Sequence, residues 1–218
     1  EHNNKAEDVV PTALATNFVD KSLSSGILPL SGLSNKRTLH CNESGEYVYY
    51  DSDRYGFNNP DIEWDNSNKK GSYLLLGDSF THGSSVNRSF DIASQLRKLS
   101  NKSVLNLGYD NNGPLIKYAT LREYLEPNVK NIIWVFDAST NFKDLNKEYK
   151  NKILKNYLID LNFTQSLRTK QKEIDNIAND EINKRIKRNS LKSKLIKFLK
   201  IHDLRNLLFF KESKIQIQ

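Results

Sequence analysis

The chain has 218 residues, enough for a sizeable buried core, with 37% hydrophobic and 27% charged residues and a net charge of +7. No run approaches eighteen consecutive apolar residues, which excludes a membrane-spanning helix, and the first ten residues, EHNNKAEDVV, lack the basic-then-apolar order of a signal peptide. The single Cys41 excludes an internal disulfide framework, and the absence of methionine is read as a processed chain or a piece of a longer one.

Residues 1 to about 36 mix Asn, Ser, Thr and Pro with short apolar runs and are expected to form an irregular, surface-wrapping lead-in. Two short strands, Thr38–Cys41 and Tyr47–Tyr50, are expected around a turn at Glu43-Ser44-Gly45, and loop chemistry continues to Ser72. The pattern then changes. YLLL (73–76) is a continuous apolar run, as expected of a strand buried on both faces. SFDIASQLRKL carries Phe90, Ile92, Ala93, Leu96 and Leu99 at helical spacing. SVLNLG (103–108) reads as a second strand entering the loop YDNNGP, and LIKYATLREYL as a helix with Pro114 at its start. NIIWVF (131–136) reads as a third buried strand, followed by DASTNFKDL. Three strand–helix repeats imply a parallel sheet whose ligand site lies at the carboxyl ends of its strands.

After Leu145 only long, charged, amphipathic helices are expected. Residues 1–146 hold 15 Lys+Arg and 18 Asp+Glu, whereas 147–218 hold 18 and 8, so the basic character belongs to the C-terminal third. Three segments follow: a lead-in (1–71), an α/β core (72–146) and a basic helical segment (147–218) that reads as an insertion or cap. Leu191, Leu195, Phe198, Leu199, Leu204, Leu207 and Leu208 lie along one broad face of the last helix, a pattern that suits either a membrane surface or packing on other parts of the chain. Its aromatics are not interleaved with the charges and no reader motif is present, which argues against nucleic acid.

The chemistry-bearing residues fall just past the three strands: Asp78-Ser79, then Asn106 with the loop from Gly108 to Gly113, then Asn141. A serine on a sharp turn, with backbone N–H groups and an amide converging on it, is what acyl transfer requires. Asp78 is read as holding the turn. His82, three residues after Ser79, is read as packing the loop, because no acceptor for its second nitrogen is evident. His40 beside Cys41 gives two adjacent ligand types without a second pair, so no metal is expected.

Gly77-Asp78-Ser79, the NLGYDNNGP loop and Asn141 resemble the first three sequence blocks of the SGNH (GDSL) hydrolases, over roughly residues 72–145. The resemblance implies a three-layer α/β/α, flavodoxin-like fold and a serine esterase or acyltransferase with no cofactor. Ser79 would be the nucleophile. The oxyanion donors would be the Ser79 N–H, the Asn141 side chain and a block-two N–H. In the second block Asn111 stands where the family has glycine; asparagine tolerates the left-handed conformation this requires, with Gly108 or Gly113 as substitutes. Phe142 replaces the usual aspartate of the third block. The family's final Asp-x-x-His block is not found, since none of His2, His40, His82 and His202 has an aspartate three residues before it. The chain is therefore expected to be the N-terminal portion of a longer SGNH-type protein acting on an O-acyl ester of a carbohydrate or lipid, with the cell envelope as location by analogy. The competing expectation is a catalytically inactive relative serving as a binding or assembly module.

Overall fold

A computed structural model of the chain describes residues 9–18, 26–41, 46–67, 72–137 and 141–212. The expected turn at 43–45 lies outside these residues. The architecture is mixed α/β, with two three-stranded sheets.

The first sheet has the order β1 (Val10–Pro11), β2 (Arg37–Cys41), β3 (Val48–Asp51), parallel between the first pair and antiparallel between the second. Leu39 pairs with Tyr49 and Cys41 with Val48, so His40 is the extra residue of a β-bulge. Such a bulge re-aims the side chain it carries.

The second sheet is parallel throughout, in the order β5 (Val104–Asn106), β4 (Tyr73–Leu76), β6 (Asn131–Trp134). Leu74, Leu75 and Leu76 are wholly buried, as the apolar run demands of a central strand. Between β4 and β5 runs α3 (Ile92–Ser100), and between β5 and β6 runs α4 (Pro114–Tyr124). Asp91 caps α3 by accepting from Ser94 N, and Pro114 opens α4 at a position that has no need of an N–H.

Three expectations are corrected. The lead-in does not merely wrap the surface: Phe18, Leu28 and Leu30 are fully buried, and the Leu28 N–H donates to Gln165 Oε1 at 2.7 Å. Strand β6 is not buried. It pairs on one side only, and Ile132, Ile133 and Trp134 remain 38–45% exposed. The apolar face assigned to α3 is narrower than its spacing suggests, since Phe90 and Leu99 face solvent. Arg97 instead turns inward, donating to Val104 O and Asn59 Oδ1.

Two further helices, α5 (Asn141–Glu148) and α6 (Lys152–Ile159), precede α7 (Gln171–Glu212). The charge boundary at 146–147 is not a packing boundary. Tyr157 is buried and its hydroxyl donates to Glu123 of α4 at 2.5 Å, and Glu123 also accepts the N–H groups of Gln165 and Leu167. Contacts divide the chain within α7: the first unit is Glu1–Asn179, and the second is Asp180–Gln218. The apolar face expected beyond Leu191 concerns side chains outside those described. No helix among the described residues is long and apolar enough to cross a membrane.

Candidate active site

Beyond Leu76 the chain turns through Gly77-Asp78 into the one-turn helix α2 (Ser79–His82). Asp78 caps it, its Oδ1 accepting from Phe80 N at 3.3 Å, and its Oδ2 lies 3.3 Å from Lys117 Nζ. Lys117 comes from α4, and its side chain is 1% exposed. Buried Lys117 thus contacts the carboxylate that caps the turn.

Pairing of the sheet continues past the ends of the strands. Leu107 N donates to Leu75 O, and Tyr109 N to Gly77 O, which draws Asp110 and Asn111 alongside Asp78 and Ser79. Asn106 fixes the two loops to each other: its Oδ1 accepts from Gly108 N at 2.9 Å and its Nδ2 donates to Thr81 O at 2.7 Å. A Cβ on Gly108 would stand 2.6 Å from the Thr81 side chain and 2.7 Å from His82 N, so only glycine permits this approach.

Asn111 adopts φ +59°, the left-handed conformation expected of it. Ser79 and Asn111 together line a cavity of about 460 Å³ with Asp78, Asn112, Asp137 and Lys143, and a second of about 310 Å³ with Cys41, Ser84 and Asp110. No hydrogen bond to the Ser79 hydroxyl, the Ser79 N–H or the Asn111 N–H is present among the described residues. Neither N–H is committed to a partner among the described residues, and both residues line the same two cavities. The other two block-two donors are committed, Gly108 N to Asn106 and Gly113 N to Glu148 Oε1 at 2.8 Å, which removes Gly108 and Gly113 as oxyanion donors. Asn141 opens α5, and its side chain, like that of Phe142, lies outside the described set. A cavity of about 490 Å³ lies at the opposite ends of the strands, beside Ser72 and Ser103, where open parallel sheets do not bind their ligands.

Glu148 caps α4 from a buried position, accepting from Gly113 N and Leu115 N at 2.8 Å each. Burial pushes its carboxyl from 4.5 up to about 7, outweighing the backbone N–H groups that favour the anion. Its folded form thus keeps a proton that the unfolded chain loses near pH 4.5. The stability this adds is complete below pH 4.5 and disappears as pH rises through 7, a change of about 3 kcal/mol. Glu148→Gln is expected to flatten that slope, read as urea midpoints at pH 4.5 and 7.5.

His82 does have an acceptor, which the sequence concealed: its Nδ1 lies 3.1 Å from Asp110 Oδ1, and His40 Nε2 lies 2.9 Å from Asp110 Oδ2. Burial raises the Asp110 carboxyl, but the hydrogen bonds from the two histidines outweigh it and hold the group well below the usual carboxylate range. Burial also lowers His82. Neither ring makes a hydrogen bond to Ser79 among the described residues. His82 Nε2 is enclosed without a hydrogen-bond partner, in a ring stacked on Tyr109 at 4.5 Å, which fits the packing role read from the sequence. Lys117, Glu148 and Asp110 carried no sequence signal, because each acts on residues 26 to 70 positions away.

Comparison with protein-family models, curated proteins and solved structures returned no match.

Proposed function

We propose that the protein is a serine ester hydrolase or acyltransferase of SGNH type, built on a three-layer α/β/α arrangement of which the parallel sheet is the centre. The observation that carries this reading is the juxtaposition of Ser79 and Asn111, two loops from adjacent parallel strands, on shared cavities with unpaired N–H groups. Ser79 Oγ attacks the ester carbonyl. The Ser79 and Asn111 N–H groups, with the Asn141 amide as the resemblance implies, stabilise the oxyanion of the tetrahedral intermediate. Collapse of that intermediate expels the alcohol and leaves an acyl-serine, which water or a second alcohol then resolves. The proton acceptor is neither His40 nor His82, both of which are turned to Asp110; the resemblance assigns it to an Asp-x-x-His block. The substrate class is an O-acyl ester of a carbohydrate or lipid, and no cofactor enters the chemistry.

Turnover of p-nitrophenyl acetate by the full-length protein tests the reading. Asn111→Gly is expected to retain the wild-type rate, because it keeps the N–H and relieves the positive φ. Asn111→Pro, which removes the N–H and cannot adopt φ +59°, is expected to lose it. Equal rates for both variants would remove Asn111 from the oxyanion hole. A non-catalytic binding module is the second reading, favoured by the absence of any imidazole in contact with Ser79 among the described residues. Full-length protein without esterase activity whose Ser79→Ala variant binds its target normally would establish it.

A further inference from the structure

We propose that His40 Nε2, His82 Nδ1 and the Asp110 carboxylate form a binding site for one divalent transition-metal ion, with zinc the best match to the donors. The three ligand atoms lie within 4.8 Å of one another. Two imidazoles and one carboxylate suit zinc, cobalt or nickel and do not suit calcium or magnesium, which require oxygen-rich shells. Three protein ligands leaving one position open is also the composition of a catalytic rather than a closed structural zinc site.

Ligand atoms about 2.0–2.1 Å from a tetrahedral zinc stand roughly 3.3 Å apart. Here the two nitrogens are 2.9 and 3.1 Å from the two different Asp110 oxygens, and all three ligand atoms lie within 4.8 Å, so an ion enters if the hydrogen-bonded pairs part slightly and the widest pair closes toward the tetrahedral spacing. Each ring binds neutral, with its proton on the other nitrogen, and the carboxylate is already anionic.

The backbone builds the cluster from three separate places. The β-bulge at His40 aims its ring, α2 supplies His82, and the loop after β5 supplies Asp110. Tyr50 stands edge-on to both rings, at 5.5 Å from His40 and 5.1 Å from His82, and Tyr109 stacks on the latter. This aromatic wall holds the ring planes and keeps the imidazole side chains at 1% exposure or less. The opening is on the side of Asp110, 18% exposed, and Ser84, whose hydroxyl is 2.9 Å from His40 Nε2. Both line the 310 Å³ cavity that Ser79 also lines, so the fourth coordination position faces that cavity. The sequence argued against a metal because His40 and Cys41 had no second pair of ligands beside them; His82 and Asp110, the latter 70 residues from His40, are brought there only by the fold.

His82 Nε2 has no acceptor, so the ring lacks the outer partner that zinc-bound histidines ordinarily have. Such partners strengthen binding by roughly 10–100-fold, so an exchangeable ion is expected here rather than a permanently held one.

The test is titration of the chelator-treated full chain with Co²⁺, a coloured stand-in for zinc, followed by displacement with Zn²⁺. The expected result is visible d–d absorption saturating at one equivalent and removed by Zn²⁺. His40→Gln and Asp110→Asn, with circular dichroism confirming their fold, should each weaken binding by more than about 100-fold. Ser79→Ala should bind as wild type does, which separates this site from the fate of the esterase reading. Should the variants lose their fold, wild-type ¹H–¹⁵N spectra of the imidazoles decide: Zn²⁺ must shift His40 and His82. No absorption band in wild type, unchanged binding in both folded variants, or shifts confined to His2 and His202 would overturn the proposal.

Discussion

Asp53→Ala is expected to lower stability by about 4 kcal/mol, the largest effect of any single substitution considered. Asp53 is fully buried in the turn between β3 and α1 (Ile62–Asn66). One carboxylate oxygen accepts from Tyr55 N and Phe57 N, each at 2.9 Å. The other accepts from Asn59 Nδ2 at 2.9 Å and Trp64 Nε1 at 2.8 Å. Alanine leaves four donors without a partner in a region with little access to water. Each such orphan costs about 1–3 kcal/mol, and partial relaxation keeps the total below the sum. Burial pushes this carboxyl up to about 6 against those same hydrogen bonds, so at neutral pH it is ionised and accepts all four. The loss would propagate toward the candidate site. Asn59, released from Asp53, also holds Asn106 through its N–H and carbonyl, and Asn106 ties Gly108 to α2. Asp53→Asn keeps one acceptor oxygen but turns an amide against two donors, so it should fall between alanine and wild type. Urea unfolding at pH 7 measures all three proteins.

Ser79→Ala is expected to reduce ester hydrolysis by at least about 10³-fold while leaving stability within about 0.5 kcal/mol. The two halves of that expectation have separate causes. The hydroxyl has no hydrogen-bond partner among the described residues and sits half-buried at a cavity wall, so its removal neither empties a core nor strands a donor. On the proposed reading its oxygen forms the acyl intermediate, although the N–H of residue 79 survives the substitution and would preserve part of the oxyanion hole. A loss of activity accompanied by a comparable loss of stability would point instead to a structural role. Steady-state kinetics with thermal unfolding of both proteins separates the cases.

What could be read in the sequence was local. The YLLL run identified a strand buried on both faces, its Gly-Asp-Ser ending placed a serine at a turn, and the resemblance implied a left-handed residue at Asn111. Each of these rests on neighbours within a few positions. The unread features depend on residues far apart in the chain. Nothing in RTLHC says that a bulge will turn His40 toward an aspartate 70 positions later, and nothing in LIKYATL says that Lys117 will be buried against Asp78. Periodicity also misled in one direction. Phe90 and Leu99 obey helical spacing yet face solvent: Phe90 lies in a separate 3-10 turn before α3, and α3 packs on the sheet through Ala93 and Leu96 while Arg97 occupies the adjoining polar niche. Strand β6 is as apolar as β4 but stands at an edge, and burial is a property of the neighbours a strand acquires, which composition does not record.

The central claim is that Ser79 is a nucleophile. Intact-mass spectrometry of the full-length protein after treatment with a fluorophosphonate tests it most directly. One covalent adduct is expected, mapped by peptide sequencing to Ser79 and absent from Ser79→Ala. No adduct, or an adduct on Ser84 in the neighbouring cluster that persists in Ser79→Ala, would contradict it.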